Sequence, residues 1–217
     1  MTSHSSAHEL QFFKSFLARP WKIASPIPSG RNLATKIAEQ IDREPGGSVL
    51  ELGPGTGAVT RAICERVTEQ DVIAIESDAG FVALLRARFP RARIVEGDAF
   101  AFADVLGEEA QGLRSIVSGL PVVGRDFELR RRFLESAMRA LQAGKPFVQF
   151  SYSNRAPFPR SEGVAVKRAA IVWQNIFPMH IWVYRKAPPD GPLQPDHPGK
   201  GPKRRGQRRD SFHPSIY

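Results

Sequence analysis

The sequence predicts an open α/β fold: a mostly parallel seven-stranded sheet with helices on both faces and an antiparallel end strand. Three observations carry that reading. Strand-like and helix-like segments alternate along the middle of the chain. The first strand runs straight into a glycine-rich loop that opens a helix, the place where open α/β sheets seat ligands. Two further strand segments close the chain with only a short connection between them, which suits an antiparallel pair.

Taken in order, Leu10 to Ala18 reads as a helix. Leu10, Phe12, Phe13, Phe16 and Leu17 fall within one half of its wheel, and Pro20 ends it. A loop containing Ser25, Pro26, Pro28 and Ser29 leads to a second helix, Arg31 to Ile41. Ser48 to Leu52 is a short apolar strand, and Ala58 to Val67 continues as a helix after the glycine loop. Asp71 to Ile75 is the second strand. Ala79 to Phe89 is a helix capped by Ser77 or Asp78 and ended near Pro90. Arg93 to Val95 and Ser115 to Val117 are strands three and four. Phe127 to Leu141 is a long helix stopped at Gly144, and Phe147 to Tyr152 is strand five. Val164 to Trp173 and His180 to Tyr184 form the closing pair, with Pro178 in the turn between them.

Residues 1–45 thus form an N-terminal helical region, 46–186 the ligand-binding α/β domain, and 187–217 a Pro-, Gly- and Arg-rich tail whose composition predicts disorder. With 41% apolar residues the 217-residue chain has ample material for one core. Its one cysteine, Cys64, permits neither an internal disulfide nor a CxxC metal site, which suits a reducing cytoplasm, and no metal is expected. Met1 to Glu9 is polar rather than secretory, and no apolar run approaches a membrane span. The net charge is +9. From Lys186 onward seven Lys/Arg face three Asp, and between Leu10 and Ala38 there are five basic residues and no acidic ones. Basic surface of this kind points to an acidic partner, nucleic acid or an anionic membrane.

The loop Glu51-Leu-Gly53-Pro-Gly55-Thr56-Gly57 carries the chemistry. Missing side chains let a ligand approach the backbone there. Gly53, Gly55 and Ala58 also fit a dinucleotide fingerprint. A pyrophosphate, however, requires bare amides and no neighbouring anion, whereas Glu51 stands two residues before the first glycine. That carboxylate suits the sulfonium and ammonium of S-adenosylmethionine. Glu76, at the end of strand two and 19 residues after Gly57, suits the ribose hydroxyls, with a solvated loop acid as its alternative. Asp98, with Ala99 in Glu96-Gly-Asp-Ala99, suits the exocyclic amine of adenine, or serves as a turn residue.

Ser118-Gly119-Leu120-Pro121 follows strand four at the carboxyl edge, the expected acceptor position, although a simple turn has the same composition. Amine-methylating enzymes often place Asn/Asp-Pro-Pro-aromatic here. Ser118 replaces the acid or amide and Val122 the aromatic, which argues against stacking on an adenine. Tyr152, at the end of strand five, is either the residue that steers the acceptor nitrogen or a packed aromatic. No residue stands out as a strong base.

These pieces together resemble the bacterial phospholipid N-methyltransferases of the soluble proteobacterial type. The resemblance rests on Ala24-Ser-Pro-Ile-Pro-Ser-Gly30, the ELGPGTG loop, Ser118-Gly-Leu-Pro121, Phe147-Val-Gln-Phe-Ser-Tyr152 and Asn175 to Arg185, spread over Leu10 to Lys186. It implies the Rossmann-like class I methyltransferase fold and stepwise methylation of phosphatidylethanolamine towards phosphatidylcholine. It also implies peripheral attachment to the anionic inner face of the membrane through Leu10 to Lys22, with no obligatory nucleic acid. Val122-Val-Gly-Arg-Asp126 is less apolar than the resemblance leads one to expect, and the basic tail is extra. The alternatives are an rRNA adenine dimethyltransferase and a non-catalytic membrane-binding module with the same fold. An rRNA enzyme would need a C-terminal helical domain, for which the tail is too poor in apolar residues.

Overall fold

The computed structural model describes residues 28–174 and 177–186. The helix expected at Leu10 to Ala18 and the tail 187–217 lie outside the described residues. The sheet holds seven strands: β1 (Val49–Leu52), β2 (Val72–Glu76), β3 (Arg93–Glu96), β4 (Ser115–Ser118), β5 (Phe147–Ser151), β6 (Val164–Gln174) and β7 (Phe177–Lys186). Their order is β3-β2-β1-β4-β5-β7-β6. The first five run parallel, and β7 lies antiparallel to both neighbours. The antiparallel strand therefore sits one place in from the edge, and β6 outside it points the same way as β5.

The helices are α1 (Pro28–Ala38), α2 (Ala58–Cys64), α3 (Ala79–Arg88), α4 (Phe102–Leu106) and α5 (Phe127–Ala140). β1, β2, β4 and β5 are buried at every position because helices cover both faces, so they read as continuous apolar runs. On one face Leu50, Leu52, Ile73, Ile75, Ile116 and Phe147 pack against Phe102 and Leu106 of α4 and Phe133, Leu134 and Ala137 of α5. On the other, Val49, Val72, Val117 and Val148 pack against Leu33 and Ile37 of α1 and Ile63 of α2. Asp78 caps α3 by accepting the Phe81 N–H at 3.0 Å, so Asp78 rather than Ser77 starts that helix. Asp126 caps α5 through Glu128 and Leu129 at 2.8 and 3.2 Å.

Three elements differ from the sequence reading. α1 begins at Pro28, three residues before Arg31, since proline's missing N–H is not needed in a first helical turn. α4 and its flanking single turns fill a stretch to which the sequence assigns no element; Phe102, fully buried, anchors them to the core together with Leu106, Ala99 and Ala110. Pro178 lies inside β7, opposite Trp173, rather than in the turn. β5 reaches β7 only as far as His180, so the proline costs no bond on that side.

Candidate active site

The chain builds outward from β1 to β3 and then returns to place β4 on the other side of β1. The carboxyl ends of β1 and β4 therefore form the switch-point crevice of the sheet. They are joined there by the Gly119 N–H, which donates to the Leu52 carbonyl at 3.1 Å. Gly53, Gly55 and Gly57 turn the loop at φ +72°, +56° and +81°, conformations that side chains resist. A Cβ on Gly53 would stand 3.1 Å from Leu120, and one on Gly57 would stand 2.8 Å from Leu85 and Phe89. Glycine is thus required by conformation and by space. Thr56 is half-buried, and its carbonyl accepts an Arg88 guanidinium N–H at 2.7 Å.

Glu51 is 3% exposed, and its Oε2 has no hydrogen-bond partner among the described residues. Burial pushes its carboxyl up to about 7, against the pull of the Thr60 hydroxyl and amide, and the charge of Glu76 raises it further. The Thr60 hydroxyl lies beside the carboxyl without the geometry of a made hydrogen bond. An orphaned, ionisable oxygen beside a glycine-lined crevice fits a cationic ligand: bringing in positive charge removes the cost of ionising it.

Glu76 carries a structural role that the sequence does not announce. Its Oε2 accepts the Gly55 N–H at 2.9 Å, and its Oε1 accepts the N–H groups of Ser77 and Asp78 at 2.8 and 3.0 Å. The carboxylate ties the glycine loop to the end of β2. A carboxylate has about four lone-pair sites, so capacity for a ligand hydroxyl is left. Asp98 is exposed and caps the turn Ala99–Ala101 through the Phe100 N–H at 2.9 Å, while Ala99 is buried beneath it. The turn role weighed for Asp98 is therefore present, with Oδ2 outside that bond.

On the acceptor side Ser118 is buried and its Oγ accepts the Leu120 N–H at 3.3 Å. Gly119 lies on the Phe150 ring, which a Cβ would meet at 2.6 Å. Leu120 and Pro121 are half-buried at the mouth. Val122 is 1% exposed and packs in the core, so no side chain at that position faces the crevice to stack on a base. Tyr152 follows β5 directly and is half-buried against the α1 face of the sheet, where burial raises its phenol.

Gln149, within Phe147-Val-Gln-Phe-Ser-Tyr152, has a role that the sequence does not announce. It is fully buried, and its Nε2 donates to the carbonyls of Leu120 and Phe150 at 3.1 and 2.9 Å, holding the acceptor loop onto β5. Thr60, His180 and Trp182 also went unassigned. The available signal was a lone polar residue within an apolar strand, in Phe147-Val-Gln-Phe and in Met179-His-Ile-Trp.

A glycine loop at the switch point, with acids ending β1 and β2 and another following β3, defines a class I S-adenosylmethionine-dependent methyltransferase. Solved structures share this fold. N-methyltransferase NodS from Bradyrhizobium japonicum WM9, in complex with S-adenosyl-L-homocysteine, superposes with a TM-score of 0.61 at 15% identity, covering 81% of this chain and 97% of that one. TrmN from Thermus thermophilus gives 0.59 at 20% identity over 74% of this chain and 52% of its own. A family model described as ribosomal RNA adenine dimethylase matches residues 28–118. The ornithine lipid N-methyltransferase of Singulisphaera acidiphila is 35% identical over 147 residues, 64% of this chain and 76% of that protein. The chain belongs to the same family of S-adenosylmethionine-dependent methyltransferases as that enzyme. Ribosomal RNA small subunit methyltransferase A from Laribacter hongkongensis is 43% identical over 68 residues, 30% of this chain, so this chain spans only 25% of that enzyme's length.

Proposed function

We propose that this enzyme methylates the amine headgroup of a membrane lipid, phosphatidylethanolamine first and then its mono- and dimethyl forms, working from the membrane surface. The observation that carries this is the apolar rim of the acceptor mouth. Val123 (37% exposed) and Phe127 (56%) lie at the carboxyl edge on the β4 side, and Ile171 (44%) and Trp173 (70%) lie at the same edge on the β6 side. Large apolar groups around a site entrance suit a lipid surface and are costly in water. Two further points support the reading. The rRNA-enzyme family match ends at Ser118, where the acceptor segment begins, while the lipid-enzyme match is longer. Val122 also offers no stacking partner for a base.

S-adenosylmethionine, when bound, supplies an electrophilic methyl for in-line displacement by a neutral amine. In this reading Glu51 faces its positive charge, Gly53, Gly55, Thr56 and Gly57 leave room for its body, Glu76 and Ala99 border the ribose, and Asp98 takes an adenine N–H. Ser118 to Pro121 line the amine's path. Tyr152, kept protonated by burial, donates or orients rather than removing a proton. Among the described residues no helix is long and apolar enough to cross a membrane; docking through Leu10 to Lys22 is proposed on the sequence alone.

The test is transfer of labelled methyl from S-adenosylmethionine to phosphatidylethanolamine vesicles, ornithine lipid vesicles and small ribosomal subunits in parallel. Labelled methylated phosphatidylethanolamine is expected. Label confined to rRNA would overturn the proposal.

A further inference from the structure

Three buried polar atoms on one patch of the sheet have no hydrogen-bond partner among the described residues: Gln149 Oε1, His180 Nδ1 and Trp182 Nε1. Their residues are 0%, 4% and 6% exposed. Register brings them together. Gln149 of β5 stands opposite Trp182 of β7, and Ser151 stands opposite His180, so all four side chains rise from the same face. The His180 and Trp182 rings stack with centroids 6.4 Å apart. Ser118 of β4 is the next register partner of Gln149, and Gln149 itself grips the Leu120 carbonyl. The patch therefore continues the acceptor segment along the sheet. Buried polar groups are normally paired, and each one left unpaired costs about 1–3 kcal/mol. Three in one place point to a ligand.

The chemistry of the atoms restricts that ligand. Both Gln149 N–H bonds are spent on backbone carbonyls, so its free oxygen can only accept. Trp182 Nε1–H can only donate. Arg168, opposite Trp182 on β6, holds its guanidinium 5.7 Å from the indole centroid, placing positive charge beside that donor. His180, turned towards its neutral form by burial and then by Arg168, can accept or donate.

We infer that Gln149, His180 and Trp182, with Arg168 at their border, bind an acceptor headgroup that carries an amine and an acidic oxygen a few bonds apart. The acidic oxygen takes the Trp182 N–H beside Arg168, and the amine N–H meets Gln149 Oε1. A phosphodiester with ethanolamine and a carboxylate on an amino-acid headgroup share this chemistry. The inference rests on the lipid-amine reading and narrows it, because an amine without an acidic oxygen would be held poorly.

The test is direct binding by calorimetry to the full chain saturated with S-adenosyl-L-homocysteine. The probes are glycerophosphoethanolamine, free ornithine and plain ethanolamine. The first two separate the phosphate source from the carboxylate source, and at least one should bind at least tenfold more tightly than ethanolamine. Trp182→Phe keeps an aromatic ring but removes the pyrrole edge with its N–H; it should lose tenfold or more for the acidic probes and nothing for ethanolamine. Arg168→Gln, at an exposed position, tests the same point should Trp182→Phe fold poorly. Acidic probes that bind no better than ethanolamine, or bind both variants as well as the parent, would overturn the inference, as when a buried water alone occupies the patch. Because this readout needs no turnover, an enzyme that methylates lipid while Trp182→Phe binds normally would sink the patch and leave the function standing. Specific probe binding without lipid methylation would do the reverse.

Discussion

Glu51→Gln separates a ligand-binding carboxylate from a structural one. The native carboxyl, raised by burial from 4.5 to about 7, binds more protons than the unfolded chain between those values. Its contribution to stability is thus fully present below about 4.5 and is lost as pH rises through about 7. At pH 8 the ionised group costs the unliganded fold up to about 3 kcal/mol, at 1.36 kcal/mol per pKa unit. Glutamine has nearly the same shape and no charge to bury. Unliganded Glu51→Gln should therefore melt several degrees above the parent at pH 8, taking roughly 2–4 °C per kcal/mol for a chain of this size, and close to it at pH 5.5. Cofactor binding should move the other way. Loss of one charge-assisted contact costs about 1.5–3 kcal/mol, a 10- to 100-fold weaker Kd for S-adenosylmethionine. In the parent, affinity should also rise from pH 5.5 to 7.5, because binding expels the Glu51 proton; in the variant it should stay flat. Scanning fluorimetry and calorimetry at the two pH values read both effects. A variant that melts lower at pH 8 and binds cofactor as well as the parent would refute the reasoning, since the carboxylate would then be a structural hydrogen-bonding group.

Gly119→Ala should destabilise the protein by about 1–3 kcal/mol through overpacking on Phe150 and abolish methyl transfer, with Phe150→Leu restoring both in denaturant melts and turnover assays. Phe127→Ser/Trp173→Ser, two exposed positions at the rim, should leave the melting temperature within about 2 °C and cut cosedimentation with anionic vesicles several-fold; unchanged cosedimentation would remove the rim from the membrane contact. Cys64, whose thiol burial and the neighbouring Glu69, Glu51 and Glu65 carboxylates push up to about 12, should react with a thiol reagent at pH 8 far more slowly than the unfolded chain does; rapid labelling of the folded protein would count against its partly buried position at the end of α2.

Much of this architecture is legible because the core strands are buried on both faces. Val49 to Leu52, Val72 to Glu76 and Phe147 to Ser151 read as apolar runs bounded by turn residues, and each was placed within a residue or so. α4 was not legible, since five residues held by Phe102 and Leu106 show no helical period. Pro178 misled because proline usually marks a turn; it is tolerated in β7 only where β5 has already ended, a fact of register absent from local sequence. The glycine loop and its acids were legible as chemistry, but their division of labour was not. Gly55 and Glu76 meet across 21 positions of chain, and no local pattern announces that a carboxylate will be half consumed by the loop it serves.

The same distinction explains why the acceptor side was harder to read than the cofactor side. Cofactor residues cluster in one loop and at adjacent strand ends, so spacing along the chain stands in for distance in space. The acceptor patch draws Ser118, Gln149 and Trp182 from three strands, and only the order β4-β5-β7 makes them neighbours. Each alone looks like an accident in an apolar run. Together, two polar residues whose hydrogen bonds shape the Leu120 loop and a donor without a partner among the described residues form a surface whose unpaired atoms add nothing to the stability of the fold. Stability alone would favour apolar residues at Trp182 and His180, because an unpaired buried donor or acceptor is a cost that hydrophobic replacement removes. Their presence towards the end of β5, two strands from β4, is the reason to propose this patch for the headgroup rather than for the core.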